Sequence, residues 1–368
     1  MKRLALIARP WTFHGGVETA TAGLVRELVR QGVEVELVTT AGPAPLPDVR
    51  RRILPVIPRP SVARLWSFAL AARRAVREGG HDLVQSHERV LRQDLYRAGE
   101  GTHRGYLEAM GRRARGDPYH QSVLYLERRI FSLVSARHIV TIAELGRAEA
   151  QHLYDTPLER MSTVYNGVDL QRFTPANRER FRRQIREELG LPLGSWVVLF
   201  AGSGFERKGL RTVLEGLASL GDREARLVVA GKGRTDRYRD IARSLGIGER
   251  VRWLSPRPDV ERLYAMADLL ALPARYEPFG NVHLEALASG VPVLSSARAG
   301  GSELIRQGEN GWVVRRIESG EVRLGLEALR QADPARLAAG ARRAAEPFTH
   351  AAQVEGFRAV YRTLERAR

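Results

Sequence analysis

The strongest constraint on how this chain folds is a recurring pattern. A short apolar run gives way to a loop rich in glycine or proline, and then to a helix with one apolar stripe. Lys2 to Ala8 reads as the first such strand, followed by His14-Gly15-Gly16 and a helix from Val17 to about Gln31 whose buried stripe is Leu24, Val25 and Leu28. Further strands are expected over Val33 to Thr39, Ile53 to Ile57, Asp82 to Ser86, Arg137 to Ile142 and Met161 to Val164, with helices over Val62 to Arg77 and Glu144 to Tyr154. The pattern resumes at Trp196 to Ala201, Arg226 to Ala230, Val251 to Leu254 and Leu269 to Pro273. Alternating strands and helices make a parallel sheet, and such a sheet takes its ligands at the carboxyl ends of its strands. At 368 residues the chain exceeds one ordinary domain, so two such layers are expected.

The loops at those strand ends hold the chemistry. Glu277-Pro278-Phe279-Gly280-Asn281 leads out of the strand at Leu269 into a helix that carries Glu285, with Asn281 a good N-cap type. Phosphate suits the open N–H groups of a helix start, while sugar or ribose hydroxyls donate to carboxylates. Glu277 and Glu285, eight positions apart, therefore suit a ligand bearing both. As an isolated pair they also read as a solvated loop glutamate and a surface helix glutamate. Upstream, Gly202-Ser203-Gly204-Phe205-Glu206-Arg207-Lys208-Gly209 puts two adjacent cations in a glycine-rich loop before a helix, which makes a physically sound diphosphate clamp. Its spacing is not that of a Walker A loop. Gly15-Gly16 alone is no more than a turn, and His87 beside Glu88 reads equally as a polar loop histidine or as a group placed to touch a sugar hydroxyl.

Glu277-x7-Glu285, followed by Ala286 to Val293 and by Ala299-Gly300-Gly301-Ser302-Glu303, closely resembles the donor-binding signature of the retaining glycosyltransferases of family four. The likeness runs through most of the chain and is nearest to the lipopolysaccharide core heptose glucosyltransferase I group. It implies an α/β chain of GT-B fold, two Rossmann-like domains facing across a cleft. Asn166-Gly167-Val168-Asp169 resembles the family hinge and puts the boundary near residue 170. Residues 1–170 would form the acceptor domain, 171–346 the nucleotide-sugar domain, and a last helix within 347–368 would cross back to the first. The resemblance also implies roles. Gly15 and Gly16 face the donor diphosphate, as do Arg207 and Lys208; Arg257 stacks on the base; Phe279, Gly280 and Asn281 open the donor-site helix. Glu277 holds the donor sugar and Glu285 the ribose. Asp94 to Arg104 resembles the group's segment with an active-site aspartate, where this chain has Glu100, one methylene longer.

The formal net charge is +17, and lysine occurs only at Lys2, Lys208 and Lys232, so the excess is arginine. Such an excess attracts nucleic acid, anionic lipid or phosphorylated glycan almost equally. Residues 104–129 interleave Arg104, Arg112, Arg113, Arg115, Arg128 and Arg129 with Tyr106, Tyr119 and Tyr125. That fits an interfacial helix on an anionic membrane, an RNA surface or a solvated hairpin, and the resemblance favours the membrane. There is no cysteine, no Asp-x-Asp metal motif and no apolar stretch of membrane-spanning length. The expectation is a metal-independent hexosyltransferase with no cofactor beyond its UDP-sugar donor, glucose from UDP-glucose. It would act on a lipid-linked or lipopolysaccharide glycan at the inner face of the cytoplasmic membrane, with no nucleic acid partner. A sugar-nucleotide epimerase of the same architecture and a basic nucleic-acid-binding protein are the rival readings.

Overall fold

The computed structural model describes residues 2–9, 16–42 and 49–366. It divides into two compact units, Met1–Gly167 with His350–Arg368, and Val168–Thr349. In the first, the strands are β1 (Arg3–Ile7), β2 (Glu34–Thr39), β3 (Arg50–Ile53), β4 (Leu83–Ser86), β5 (Leu95–Arg97), β6 (His138–Thr141) and β7 (Met161–Thr163). Among the described residues they form one parallel sheet in the order β3-β2-β1-β4-β5-β6-β7. Because side chains alternate along a strand, β1 serves two layers. Leu4 and Leu6 pack with helix Gly16–Arg30 and with Val354, Phe357, Val360, Tyr361 and Leu364 of helix His350–Arg366. Ala5 and Ile7 pack with Ala72, Ala75 and Val76 of helix Ser61–Glu78 on the other face. The last helix belongs to the first unit through that apolar stripe.

Two details of this first sheet differ from the sequence reading. The third strand is Arg50–Ile53 rather than 53–57. It is the sheet's edge, where cross-strand charge outweighs apolar pattern: Arg50 pairs with Glu34 at 3.4 Å and Arg52 with Glu36 at 3.5 Å. Leu95–Arg97, three residues long, is a strand that its length had hidden. At the join between the units, the N–H of Val168 donates to the carbonyl of Phe348 at 2.9 Å, so 168–170 and 347–349 both fall in the second unit.

The second unit holds β8 (Val197–Ala201), β9 (Arg226–Ala230), β10 (Val251–Leu254), β11 (Leu269–Leu272), β12 (Val293–Ser296) and β13 (Gly311–Val314). Their order is β10-β9-β8-β11-β12-β13, all parallel. The central strands are apolar throughout and buried on both faces, as a covered parallel sheet requires. Each sheet reverses its winding once, between β1 and β4 in the first unit and between β8 and β11 in the second. Loops splay apart at such a point and leave a crevice.

Helix Ala176–Glu188 has almost no apolar face, and charge docks it instead. Arg178, Arg182 and Arg186, four residues apart on one face, all reach Asp268 at 2.8 Å. Arg186 is 1% exposed and also donates to the carbonyls of Met266, Leu193 and Ser195. The other face of the arrangement is backbone, since Asp268 accepts the N–H of Val197 at the start of β8. Replacing Asp268 with asparagine leaves a buried guanidinium without its counter-charge, and we expect a loss of about 3 kcal/mol. Urea unfolding of Asp268→Asn measures it; a midpoint unchanged from the parent would contradict this account.

Candidate active site

Arg207, Lys208, Glu277 and the turn Phe279 to Asn281 come together at the switch point of the second unit. Gly202, Gly204 and Gly209, in the loop after β8, have φ of 125°, 81° and 79°. A Cβ on Gly209 would lie 2.2 Å from the carbonyl oxygen of Pro273, so only glycine lets this loop close on the one after β11. The Arg275 N–H then donates to the Arg207 carbonyl at 2.7 Å. The closure delivers both cations to one carboxylate. Lys208 Nζ donates to Glu277 Oε2 at 2.6 Å and Arg207 Nη1 to the same oxygen at 3.0 Å, while Arg207 also donates to the Tyr276 carbonyl. Burial pushes the Glu277 carboxyl up, but Lys208 and Arg207 outweigh it and hold the group down at about 2.

The loop after β12 braces the same carboxylate from behind. Glu277 N–H donates to the Arg298 carbonyl, Gly300 N–H to that of Glu277, and Gly301 N–H to that of Phe279. Phe279 is 1% exposed and anchors the turn. Gly280, at φ 81°, is the N-cap of helix Asn281–Ala288. This corrects the assignment of the cap to Asn281: the turn needs a left-handed residue, and asparagine is the first helical one. Beneath it, His283 is fully buried, its Nδ1 2.9 Å from the Gly280 carbonyl and its Nε2 2.7 Å from Ser295 Oγ. The carbonyl can only accept, so Nδ1 carries the proton and Ser295 donates to Nε2. Sequence reasoning missed His283, which occupies an apolar-stripe position next to Leu284.

Glu285 accepts a hydrogen bond from the hydroxyl of Tyr264 at 2.7 Å, and burial raises its carboxyl above the usual range. Arg257, by contrast, is engaged elsewhere. Its guanidinium donates to Asp259 at 2.8 Å and to Glu188 at 2.7 Å. Those pairs use the edge of the guanidinium, whereas the expected stacking on a base would use its face. A cavity of about 440 Å³ does lie beside the expected base loops, lined by Gly231, Lys232, Asp236, Arg239, Trp253 and Pro256 among others.

In the first unit Gly15 lies outside the described residues, and Gly16 opens helix Gly16–Arg30. His87 follows β4 but is 4% exposed with both ring nitrogens engaged, Nδ1 with Thr21 Oγ1 at 3.0 Å and Nε2 with Gln85 Nε2 at 2.8 Å. Burial, with Arg97 nearby, pushes its pKa well below 6.5. Its ring is neutral and braces the strand end through these two bonds. Glu100 stands between two arginines, at 2.8 Å from Arg9 and 3.5 Å from Arg89. Against the upward push of burial, Arg9 and then Arg89 lower its pKa. Arg89 is itself positioned by Glu127, a fully buried carboxylate that also accepts the N–H groups of His103 and Arg104.

Residues 14–172 match the model of "Glycosyltransferase Family 4" and residues 181–334 that of "Glycosyl transferases group 1". The chain is 31% identical to a D-inositol 3-phosphate glycosyltransferase of Corynebacterium efficiens, over 82% of this chain and 78% of that one. It is 32% identical to the protein so named in Nocardia farcinica, over 88% and 79%. The chain belongs to glycosyltransferase family 4. Among solved structures, WaaG, a glycosyltransferase involved in lipopolysaccharide biosynthesis, superposes with a TM-score of 0.84 at 24% identity, covering 97% of this chain and 99% of WaaG. Sucrose-phosphate synthase of Thermosynechococcus elongatus gives 0.83 at 20% identity over the whole of both chains. These likenesses establish the GT-B fold. Membership makes this chain a glycosyltransferase and sets aside the epimerase and nucleic-acid readings.

The transferase buries several histidines in neutral form. Burial holds His283, His103 and His138 at about 4, against an ordinary 6.5. The unfolded chain takes up protons that the folded one refuses, so stability is full above pH 6.5 and is lost as pH falls toward 4. Urea midpoints should therefore drop between pH 7 and 5, and His283→Leu should flatten that drop while lowering stability at pH 7. A parent midpoint that does not change over this interval would refute the assignment.

Proposed function

We propose that this enzyme transfers a hexosyl group, glucose from UDP-glucose, onto a lipid-linked or lipopolysaccharide core glycan, with retention at the anomeric carbon and no metal ion. The observation behind this reading is the Lys208–Glu277–Arg207 cluster at the mouth of helix Asn281–Ala288. Two cations and a helix N-terminus offer the diphosphate a preorganised site, and they stabilise the charge that builds on UDP as its bond to the sugar breaks. Glu277, kept ionised by the same cations, accepts hydroxyls of the donor sugar. Glu285 accepts those of the ribose, and the base enters the cavity by Gly231. The acceptor hydroxyl attacks the face that UDP leaves. Its proton passes to a β-phosphate oxygen, the sugar–oxygen bond to UDP breaks, and UDP departs with the electron pair. In the first unit, Glu100 is the candidate for binding acceptor hydroxyls.

A lipid-linked acceptor fits residues 104–129 in modified form. Helix Pro118–Phe131 turns Val123, Leu126, Ile130 and Phe131 into the core, so its apolar face is not an interfacial one. Tyr119 and Tyr125 stay outward, with Arg129 5.8 Å over the Tyr125 ring, and Arg112, Arg113, Arg115 and Arg128 are exposed. No described helix is long and apolar enough to cross a membrane, so docking would be peripheral. The second reading, a small inositol phosphate as acceptor, is favoured by the 31% identity to the Corynebacterium efficiens relative.

Incubation with UDP-glucose and each acceptor class, followed by NMR of the product, tests the reading; an inverted anomeric centre would rule out retention. Lys208→Ala should lower kcat by one to three orders of magnitude, about 1.4 kcal/mol per tenfold, and chelator should change nothing. Activity restored only by added magnesium or manganese would overturn the metal-free mechanism.

Vesicle binding should rise with anionic lipid and fall, without vanishing, as salt is added, because only the arginine part is screened. Replacing Arg112, Arg113 and Arg115 with glutamine should weaken it and leave UDP affinity unchanged. Equal binding to neutral and anionic vesicles returns the segment to a solvated hairpin and leaves the soluble phosphate acceptor as the better reading.

A further inference from the structure

We infer that Tyr264 is a positioning residue that fixes the Glu285 carboxylate and so sets the preference of the donor site for ribonucleotides over deoxyribonucleotides. The inference rests on the reading of Glu285 as the acceptor of ribose hydroxyls. Tyr264 lies on helix Val260–Met266, and its side chain is 1% exposed. Its ring is held edge-on against Phe173, with centroids 5.8 Å apart and planes at 73°. A ring clamped in this way leaves its hydroxyl a single direction, toward Glu285 Oε2 at 2.7 Å.

The consequence concerns the other oxygen. A carboxylate rotating freely presents two equivalent acceptors with no preferred plane. With Oε2 tied to a buried phenol, the plane is fixed and Oε1 is left for the ligand. Glu285 itself is only partly buried, so its carboxylate is not sealed off from a ligand. A cis-diol, donating from two adjacent hydroxyls, gains most from an acceptor whose plane is already set, because no rotation has to be frozen on binding. A deoxyribose, with one hydroxyl fewer, gains least.

The charged and titratable groups acting on Glu285 come from three segments. Tyr264 and Glu261 belong to helix Val260–Met266, Arg172 precedes helix Ala176–Glu188, and Lys208 belongs to the loop after β8. Burial raises the Glu285 carboxyl, and among the opposing groups the Tyr264 hydrogen bond is the largest influence. Removing that hydroxyl moves the carboxyl further up.

Isothermal titration of the full chain with UDP and with 2′,3′-dideoxy-UDP, in the parent and in Tyr264→Phe, tests the inference. Phenylalanine keeps the ring and its packing against Phe173. The expected result is a roughly tenfold loss of UDP affinity with dideoxy-UDP nearly unchanged, since the lost hydrogen bond serves a charged acceptor. UDP affinity should also begin to fall at a higher pH in the variant than in the parent as acid is added. In a Glu285→Ala background Tyr264→Phe should have no further effect on UDP. Equal losses for both nucleotides, an unshifted pH profile, or a full effect of Tyr264→Phe without Glu285 would overturn the positioning role. If the parent bound UDP and dideoxy-UDP alike, the ribose assignment of Glu285 would fall first, and this inference with it.

Discussion

A carboxylate sunk among apolar strands is costly unless cations meet it, and the second unit is arranged around one such meeting. Glu277 is 9% exposed at the point where the sheet reverses its winding. Alone there it would take up a proton. Lys208 and Arg207 prevent that, and they reach it only because the loop after β8 closes on the loop after β11 through Gly209. The loop after β12 then locks the backbone of Glu277 from the far side. Three strand ends thus share one ion cluster. Its geometry is set by backbone constraints at those strand ends.

Part of the high arginine content has an internal explanation. Arg186 lies inside the protein against Asp268 and three carbonyls, and Arg97, equally buried, donates to Asn166. Arg89 bridges Glu127 and Glu100. In each case a guanidinium joins segments distant in sequence, and Arg186 and Arg89 do so through a planar fork that lysine lacks. The chain has assigned to arginine much of the tying together that apolar contact performs elsewhere. Helix Ala176–Glu188 makes the point plainly, since its polarity alone would forbid a docked position. The arginines available to an anionic partner are the exposed ones, such as Arg112, Arg113 and Arg115.

What could be read from sequence follows the same division. The two parallel layers were legible because buried parallel strands are apolar runs and their helices have stripes, and both signals are local. The Arg207-Lys208 loop and Glu277-x7-Glu285 were legible because loop closure needs glycine at fixed positions. The edge strand Arg50–Ile53 was misplaced because its partners are charges, and Leu95–Arg97 is too short for a periodic signal. Arg257 and His87 have partners that spacing does not reveal. Each stands at a strand end and is held by a residue from another segment, Glu188 for Arg257 and Thr21 for His87. Local spacing cannot register a bond across 66 residues.

The two units consequently meet their chemical demands in different ways. In the second, the groups proposed for the donor sit within a few residues of the strand ends that hold them, and the constraint is largely steric. In the first, the candidate acceptor residue Glu100 depends on Arg89, which depends on Glu127, which is fixed by the N–H groups of His103 and Arg104 and by the hydroxyl of Tyr154. Each link is an ion pair or hydrogen bond over a long sequence separation, so this network is assembled by tertiary contact, whereas the cluster of the second unit is assembled by the closure of loops at neighbouring strand ends.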